Sequence, residues 1–121
     1  MKKVLIIEDD AFLKSLESSK FTKEGFEVAT AMTQAEIDTA MAAGLPDIIL
    51  LDLMLPDLDS FKVLEALKAD AKTKPIPVIV FSNLSNDADM QKATGAGAAD
   101  YMVKSSFTLD EVVDKIKGLT K

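Results

Sequence analysis

Short blocks of consecutive apolar residues alternate along the chain with longer stretches whose apolar residues recur every three or four positions. Three blocks, residues 4–7, Ile48–Leu51 and residues 78–81, are apolar throughout and bounded by charge, proline or polar residues. A parallel strand covered on both faces reads this way, since neither of its alternating side-chain directions meets water. Residues 26–30 and Asp100–Val103 are mixed in character and predict two further strands nearer the sheet edges.

Helical spacing fills the intervals. Ala11–Lys23 puts Leu13, Leu16 and Lys20 on one side, with Phe12 nearby. Thr33-Gln34-Ala35-Glu36 has the form of a capping box and leads into Ile37, Ala40 and Met41. Ser60–Ala69 carries Phe61, Leu64 and Leu67. Residues 86–94 form the weakest predicted helix, polar and alanine-rich, with Gly95 and Gly97 after it. A second box, Thr108-Leu109-Asp110-Glu111, opens a helix with Leu109, Val112, Val113 and Ile116 on one face, ending near Gly118. Pro46, Pro56, Pro75 and Pro77 fall in the connections. A strand followed by a helix, five times over, predicts an α/β fold: a parallel sheet with helices on both faces, one domain over residues 1–121.

Composition narrows the chemistry. The 121 residues are 48% hydrophobic, enough for a core, and the formal net charge is -6. An acidic surface repels nucleic acid backbones, and every basic residue is a lysine, so direct nucleic acid binding is not expected. Cysteine and histidine are absent, which excludes disulfides, thiolate or imidazole metal sites and the commonest catalytic base. The apolar runs are far shorter than the roughly 20 residues needed to cross a bilayer, and the amino terminus lacks a signal-peptide stretch. No membrane association and a cytoplasmic location are the default expectations.

In a parallel α/β sheet, ligands bind beyond the carboxyl ends of the strands, where the strand order reverses. The first strand ends in Glu8-Asp9-Asp10, the third in Asp52, the fourth in Ser82, and Lys104 follows the fifth. Asp10 suits a helix cap. The other acids, crowded at one rim, resist ionisation unless a cation compensates. Their oxygen donors suit Mg²⁺, and Lys104 adds a second positive charge. A carboxylate can attack phosphorus to give an acyl phosphate, with a cation, an ammonium and a hydroxyl steadying the transferred group. Asp52, which ends a buried apolar run, is the candidate nucleophile.

The chain resembles the receiver domain of two-component response regulators over essentially its whole length. The likeness is carried by residues 4–10, by Pro46-Asp47-Ile48-Ile49-Leu50-Leu51-Asp52-Leu53-Met54-Leu55-Pro56-Asp57, by residues 78–82 and by Asp100-Tyr101-Met102-Val103-Lys104. The resemblance implies a doubly wound, flavodoxin-like sheet of strand order 2-1-3-4-5. It also implies Asp52 as phosphoacceptor and Mg²⁺ bound directly by Asp9, through water by Glu8, and by Asp52 and the Met54 backbone carbonyl. Ser82 and Lys104 would hold the phosphoryl group, and Ser82 and Tyr101 would shift together as a switch. The implied partners are a sensor histidine kinase or phosphotransfer protein, which supplies a phosphohistidine, and a downstream protein that reads the surface of the fourth helix, fifth strand and fifth helix. Such a protein is a self-phosphorylating and self-dephosphorylating switch rather than an enzyme for a diffusing substrate.

Three positions depart from the family pattern. Ser105 follows the signature lysine where a cis proline is usual; a cis bond before serine costs ~2.5–4 kcal/mol, so the loop is expected to be rebuilt or strained. Asn83 replaces a small residue beside the acceptor, and could narrow access or add a hydrogen bond. Ser60 stands where glycine is common and can cap the following helix. Three rivals follow. An aspartyl-phosphate phosphatase wants an acid two residues after its nucleophile, where this chain has Met54. A flavodoxin-like carrier wants a phosphate-cradling loop where this chain has Glu8-Asp9-Asp10. An unphosphorylated receiver-like scaffold is the alternative reading of the departures.

Overall fold

The structure, a computed structural model, describes residues 2–56 and 58–120. Asp57, the last residue of the third-strand motif, lies outside them. Five strands and five helices alternate: β1 (Lys3–Ile7), α1 (Ala11–Lys23), β2 (Glu27–Ala31), α2 (Gln34–Ala43), β3 (Ile48–Leu51), α3 (Ser60–Ala69), β4 (Val78–Ser82), α4 (Asp87–Gly95), β5 (Asp100–Val103) and α5 (Leu109–Leu119). The strands form one parallel sheet of order β2-β1-β3-β4-β5. The expected fold class, strand order and edge positions of the two mixed strands all hold.

Alternation along each strand splits the core in two. Leu5, Ile7, Ile49, Leu51, Val78 and Val80 face Ile37 of α2 and Val63, Leu64 and Leu67 of α3. Val4, Ile6, Ile48, Leu50, Ile79 and Phe81 face Phe21 of α1 and Val112, Val113 and Ile116 of α5. Side chains of β1 and β3 are at most 2% exposed on either face, apart from the half-buried Lys3. Burial of that kind stabilises by about 1.5–3 kcal/mol for each large aliphatic side chain.

Local differences from the sequence expectations have local causes. β2 starts one residue later than expected because Phe26 leaves the ladder to pack edge-on against Phe21, ring centroids 5.5 Å apart. α1 turns a different face inward: Glu17 and Phe21 are buried, whereas Phe12 and Leu16 are exposed. The Phe21–Phe26 contact selects that face. The Thr108 capping box is complete. At α2 only half of the expected box forms: Thr33 accepts from the Glu36 amide, but Glu36 Oε1 accepts from the Met32 amide.

Strand order reverses between β1 and β3, since β2 lies to one side of β1 and β4 and β5 lie beyond β3. The ladder runs past both strand ends there. The Glu8 amide donates to Ala31 O (3.1 Å) and the Asp52 amide to Ile7 O (3.0 Å). The first residues beyond β1 and β3 therefore keep the rigidity of the sheet.

Candidate functional site at the carboxyl rim

The topology brings Glu8, Asp9 and Asp52 together, each offering a carboxylate oxygen within 4.8 Å of the others. Glu8 is 2% and Asp52 5% exposed, while Asp9 is half-buried. Asp10 stands outside the group and caps α1, its Oδ1 accepting from the Leu13 amide at 3.0 Å.

Lys104 lies across the two buried acids, its Nζ donating to Asp52 Oδ2 at 2.8 Å and to Glu8 Oε1 at 2.7 Å. Its backbone amide donates to Ser82 O (2.9 Å), which continues the β4–β5 ladder to the root of the side chain. No cis peptide bond occurs among the described residues. The 104–106 segment forms a turn closed by the Ser106 amide on Val103 O, 2.9 Å. The loop is rebuilt around Ser105, and Lys104 still reaches the acids.

The electrostatics separate the two buried acids. Burial works against ionisation of Asp52, but the Lys104 ammonium, the Met54 amide and Glu8 outweigh it and hold the carboxyl below its usual range. The Met54 amide donates to Asp52 Oδ1 at 2.9 Å. Glu8 moves the other way, because burial exceeds the pull of Lys104 and the Asp52 charge adds to the upward push. Burial pulls Lys104 down, yet its bonds to Asp52 and Glu8 prevail and raise it. One ammonium faces three carboxylates. A divalent cation with oxygen preference fits the remaining charge and the hard donor set.

The Ser82 and Tyr101 hydroxyls form their hydrogen bonds with Leu84 rather than with Asp52. Ser82 ends β4, fully buried, and its hydroxyl accepts from the Leu84 amide at 3.4 Å. Tyr101 is 9% exposed, and its hydroxyl donates to Leu84 O at 2.6 Å. Burial raises its pKa, with Asp89 and Asp52 adding to the push. The Met54 side chain is exposed, as is Asn83. A hydrogen-bonded path thus runs from Ser82 through both sides of Leu84 to Tyr101.

Two features escaped the sequence reading. Ser60 does not cap α3, because Asp59 does, accepting from the Phe61 and Lys62 amides. Ser60 is instead buried and donates its hydroxyl to the Asp52 carbonyl at 2.8 Å. The signal was the Asp-Ser pair, in which either residue can cap and the other is left free. Glu17 is the other: 1% exposed, with Oε1 lacking a hydrogen-bond partner among the described residues. Its spacing of four from Leu13 and Phe21 put it in the inward stripe.

Comparison with known proteins agrees over the whole chain. Residues 4–117 match the response regulator receiver domain family. The transcriptional regulatory protein PrrA of Mycobacterium bovis is 40% identical over 120 residues, covering 98% of this chain and 50% of that protein. The DNA-binding dual master transcriptional regulator RpaA of Synechocystis sp. is 32% identical over 121 residues, covering 100% of this chain and 50% of that one. The chain thus spans about half the length of these relatives. Among solved structures, the Francisella response regulator 1452 receiver domain superposes with a TM-score of 0.86 at 27% identity, covering 99% of this chain and 97% of that one.

Proposed function

The chain belongs to the response regulator receiver domain family, a family of phosphoacceptor signalling switches, and on that premise we propose that Asp52 is its phosphoacceptor. The observation that carries this reading is the Lys104 ammonium 2.8 Å from an Asp52 carboxylate held ionised beside two further acids. An ionised carboxylate is the nucleophilic form. One Asp52 oxygen attacks the phosphorus of a phosphohistidine on a partner kinase or phosphotransfer protein. The new O–P bond forms as the P–N bond breaks, and the electron pair leaves with the partner's imidazole. Lys104 follows the charge onto the phosphoryl oxygens, and the Ser82 hydroxyl turns from Leu84 to donate to one of them. Water later cleaves the O–P bond, returning the carboxylate and inorganic phosphate.

Asp9, Glu8, Asp52 and the Met54 carbonyl would hold Mg²⁺. When bound, the ion neutralises charge on the acceptor and the incoming phosphoryl oxygens. The path from Ser82 through Leu84 to Tyr101 supports an output on the α4-β5-α5 surface. A groove of about 560 Å³ lined by Asp87, Met90, Thr94 and Tyr101 lies there, suited to a downstream protein. No helix among the described residues is long and apolar enough to cross a membrane. DNA binding, named for RpaA, belongs to that longer protein; for this acidic chain the proposed contacts are with proteins, in the cytoplasm.

The test is an intact mass spectrum after incubation with acetyl phosphate, with and without Mg²⁺, for the wild type and Asp52→Asn. A single Mg²⁺-dependent phosphoryl adduct confined to the wild type is expected. An adduct that persists in Asp52→Asn refutes the acceptor assignment. No adduct from either acetyl phosphate or a phosphohistidine donor would favour the unphosphorylated scaffold.

A further inference from the structure

Asp52 sits one residue beyond β3, at the start of the loop that carries Met54 and leads to α3. Its amide is fixed by Ile7 O and its side chain by the Met54 amide and Lys104. Its carbonyl, past the end of the strand, accepts from a residue eight positions later, the buried Ser60 hydroxyl at 2.8 Å. That hydroxyl is spared for the contact because Asp59 caps α3 in its place. The bond ties the residue after β3 to the first residue of α3. Leu53 and Leu55 anchor the same loop in the core, each 8% exposed.

We propose that Ser60 is a positioning residue for the metal pocket: its hydroxyl clamps the Asp52 backbone to the first turn of α3 and so sets the spacing between the Asp52 carboxylate and the Met54 carbonyl. This rests on the metal ligands proposed above. Metal ligands gain affinity when a second layer of hydrogen bonds holds them in place, since less ordering remains to be done on binding. Ser60 touches neither the ion nor the phosphoryl group, so its loss weakens metal binding and leaves the transfer step intact once the pocket is saturated.

The experiment is a calorimetric Mg²⁺ titration of the wild type, Ser60→Ala and Ser60→Thr, with adduct formation from acetyl phosphate followed across the same Mg²⁺ range. Ser60→Ala is expected to weaken Mg²⁺ binding about tenfold, to shift the Mg²⁺ dependence of adduct formation equally, and to keep the rate at saturating Mg²⁺ within about twofold of the wild type. Ser60→Thr, which retains the hydroxyl, is expected to restore most of the affinity. Unchanged affinity in Ser60→Ala, or an equal loss in Ala and Thr, overturns the clamp. Because the titration needs no phosphodonor, a wild type that binds Mg²⁺ but takes no phosphoryl group refutes the transfer reading alone. A wild type that binds no Mg²⁺ refutes both.

Discussion

The carboxyl of Asp52 at the rim and the carboxyl of Glu17 are both deeply buried and have opposite fates. Asp52 is 5% exposed, yet it is held ionised by Lys104 and the Met54 amide. Glu17 is 1% exposed with one oxygen unpartnered; burial, with smaller pushes from Glu8, Asp52 and Asp10 against a pull from Lys104, raises it to about 8. At neutral pH Glu17 is therefore a neutral acid in an apolar stripe. Depth alone does not decide the state of a buried acid. What decides it is whether the cation and amide donors that the fold supplies outweigh the lost water: at Asp52 they do, at Glu8 they fall short, and at Glu17 one oxygen has none.

The strongest test of this contrast is the pH dependence of stability. Unfolded, Glu17 ionises near 4.5; folded, near 8. Between those values the folded chain binds the extra proton, so stability falls as pH rises. The contribution is whole below about 4.5, is lost progressively, and is gone above about 8. That amounts to about 3–5 kcal/mol. Denaturant melts from pH 5 to 9 should show the decline, and Glu17→Met should remove its own share, leaving the smaller fall that Glu8, raised to about 7, contributes below that pH. A wild-type curve that stays level above pH 6 would break the comparison.

Removing the cation tests the other side. Lys104→Met leaves Asp52 and Glu8 without their ammonium, and the rate of adduct formation should fall about 10²–10³-fold, followed by mass spectrometry at saturating Mg²⁺. Glu17→Met should leave that rate near wild type, which separates the two regions by function as well as by charge. A metal response sharpens the division further. Mg²⁺ at ten times its dissociation constant should stabilise the wild type by about 1.4 kcal/mol, read as a rise in melting temperature. Asp9→Asn should abolish the rise and Glu17→Met retain it. The smallest effect is expected where charge is solvated. The Lys115–Asp100 pair, 2.9 Å apart, has side chains 45% and 35% exposed, and Lys115→Ala should cost less than about 0.5 kcal/mol in urea melts.

Much of the fold and most of the rim were legible in the residues. Ile48–Leu51 read as a strand covered on both sides, and the order that pairs it with β1 and β4 was the one the receiver-domain resemblance implied. Asp52, Glu8 and Asp9 converge because the carboxyl ends of β1 and β3 meet where strand order reverses. The exceptions were choices among near-equal partners. Leu16 and Phe12 are as apolar as Leu13, yet α1 turns them outward in favour of the Phe21–Phe26 contact, and Glu17 is carried inward with Phe21. Glu36 had two backbone amides within reach and took that of Met32.

The sequence by itself determined the strands, their parallel direction and the acids at their ends, because a strand buried on both faces has no orientation to choose. Tertiary structure alone decided the inward face of α1, the Ser60–Asp52 bond and the span of Lys104 across two acids. A single hydrogen bond contributes only about 0.5–1.5 kcal/mol net. A hydroxyl or an ammonium therefore takes whichever acceptor the long-range packing of the sheet brings beside it.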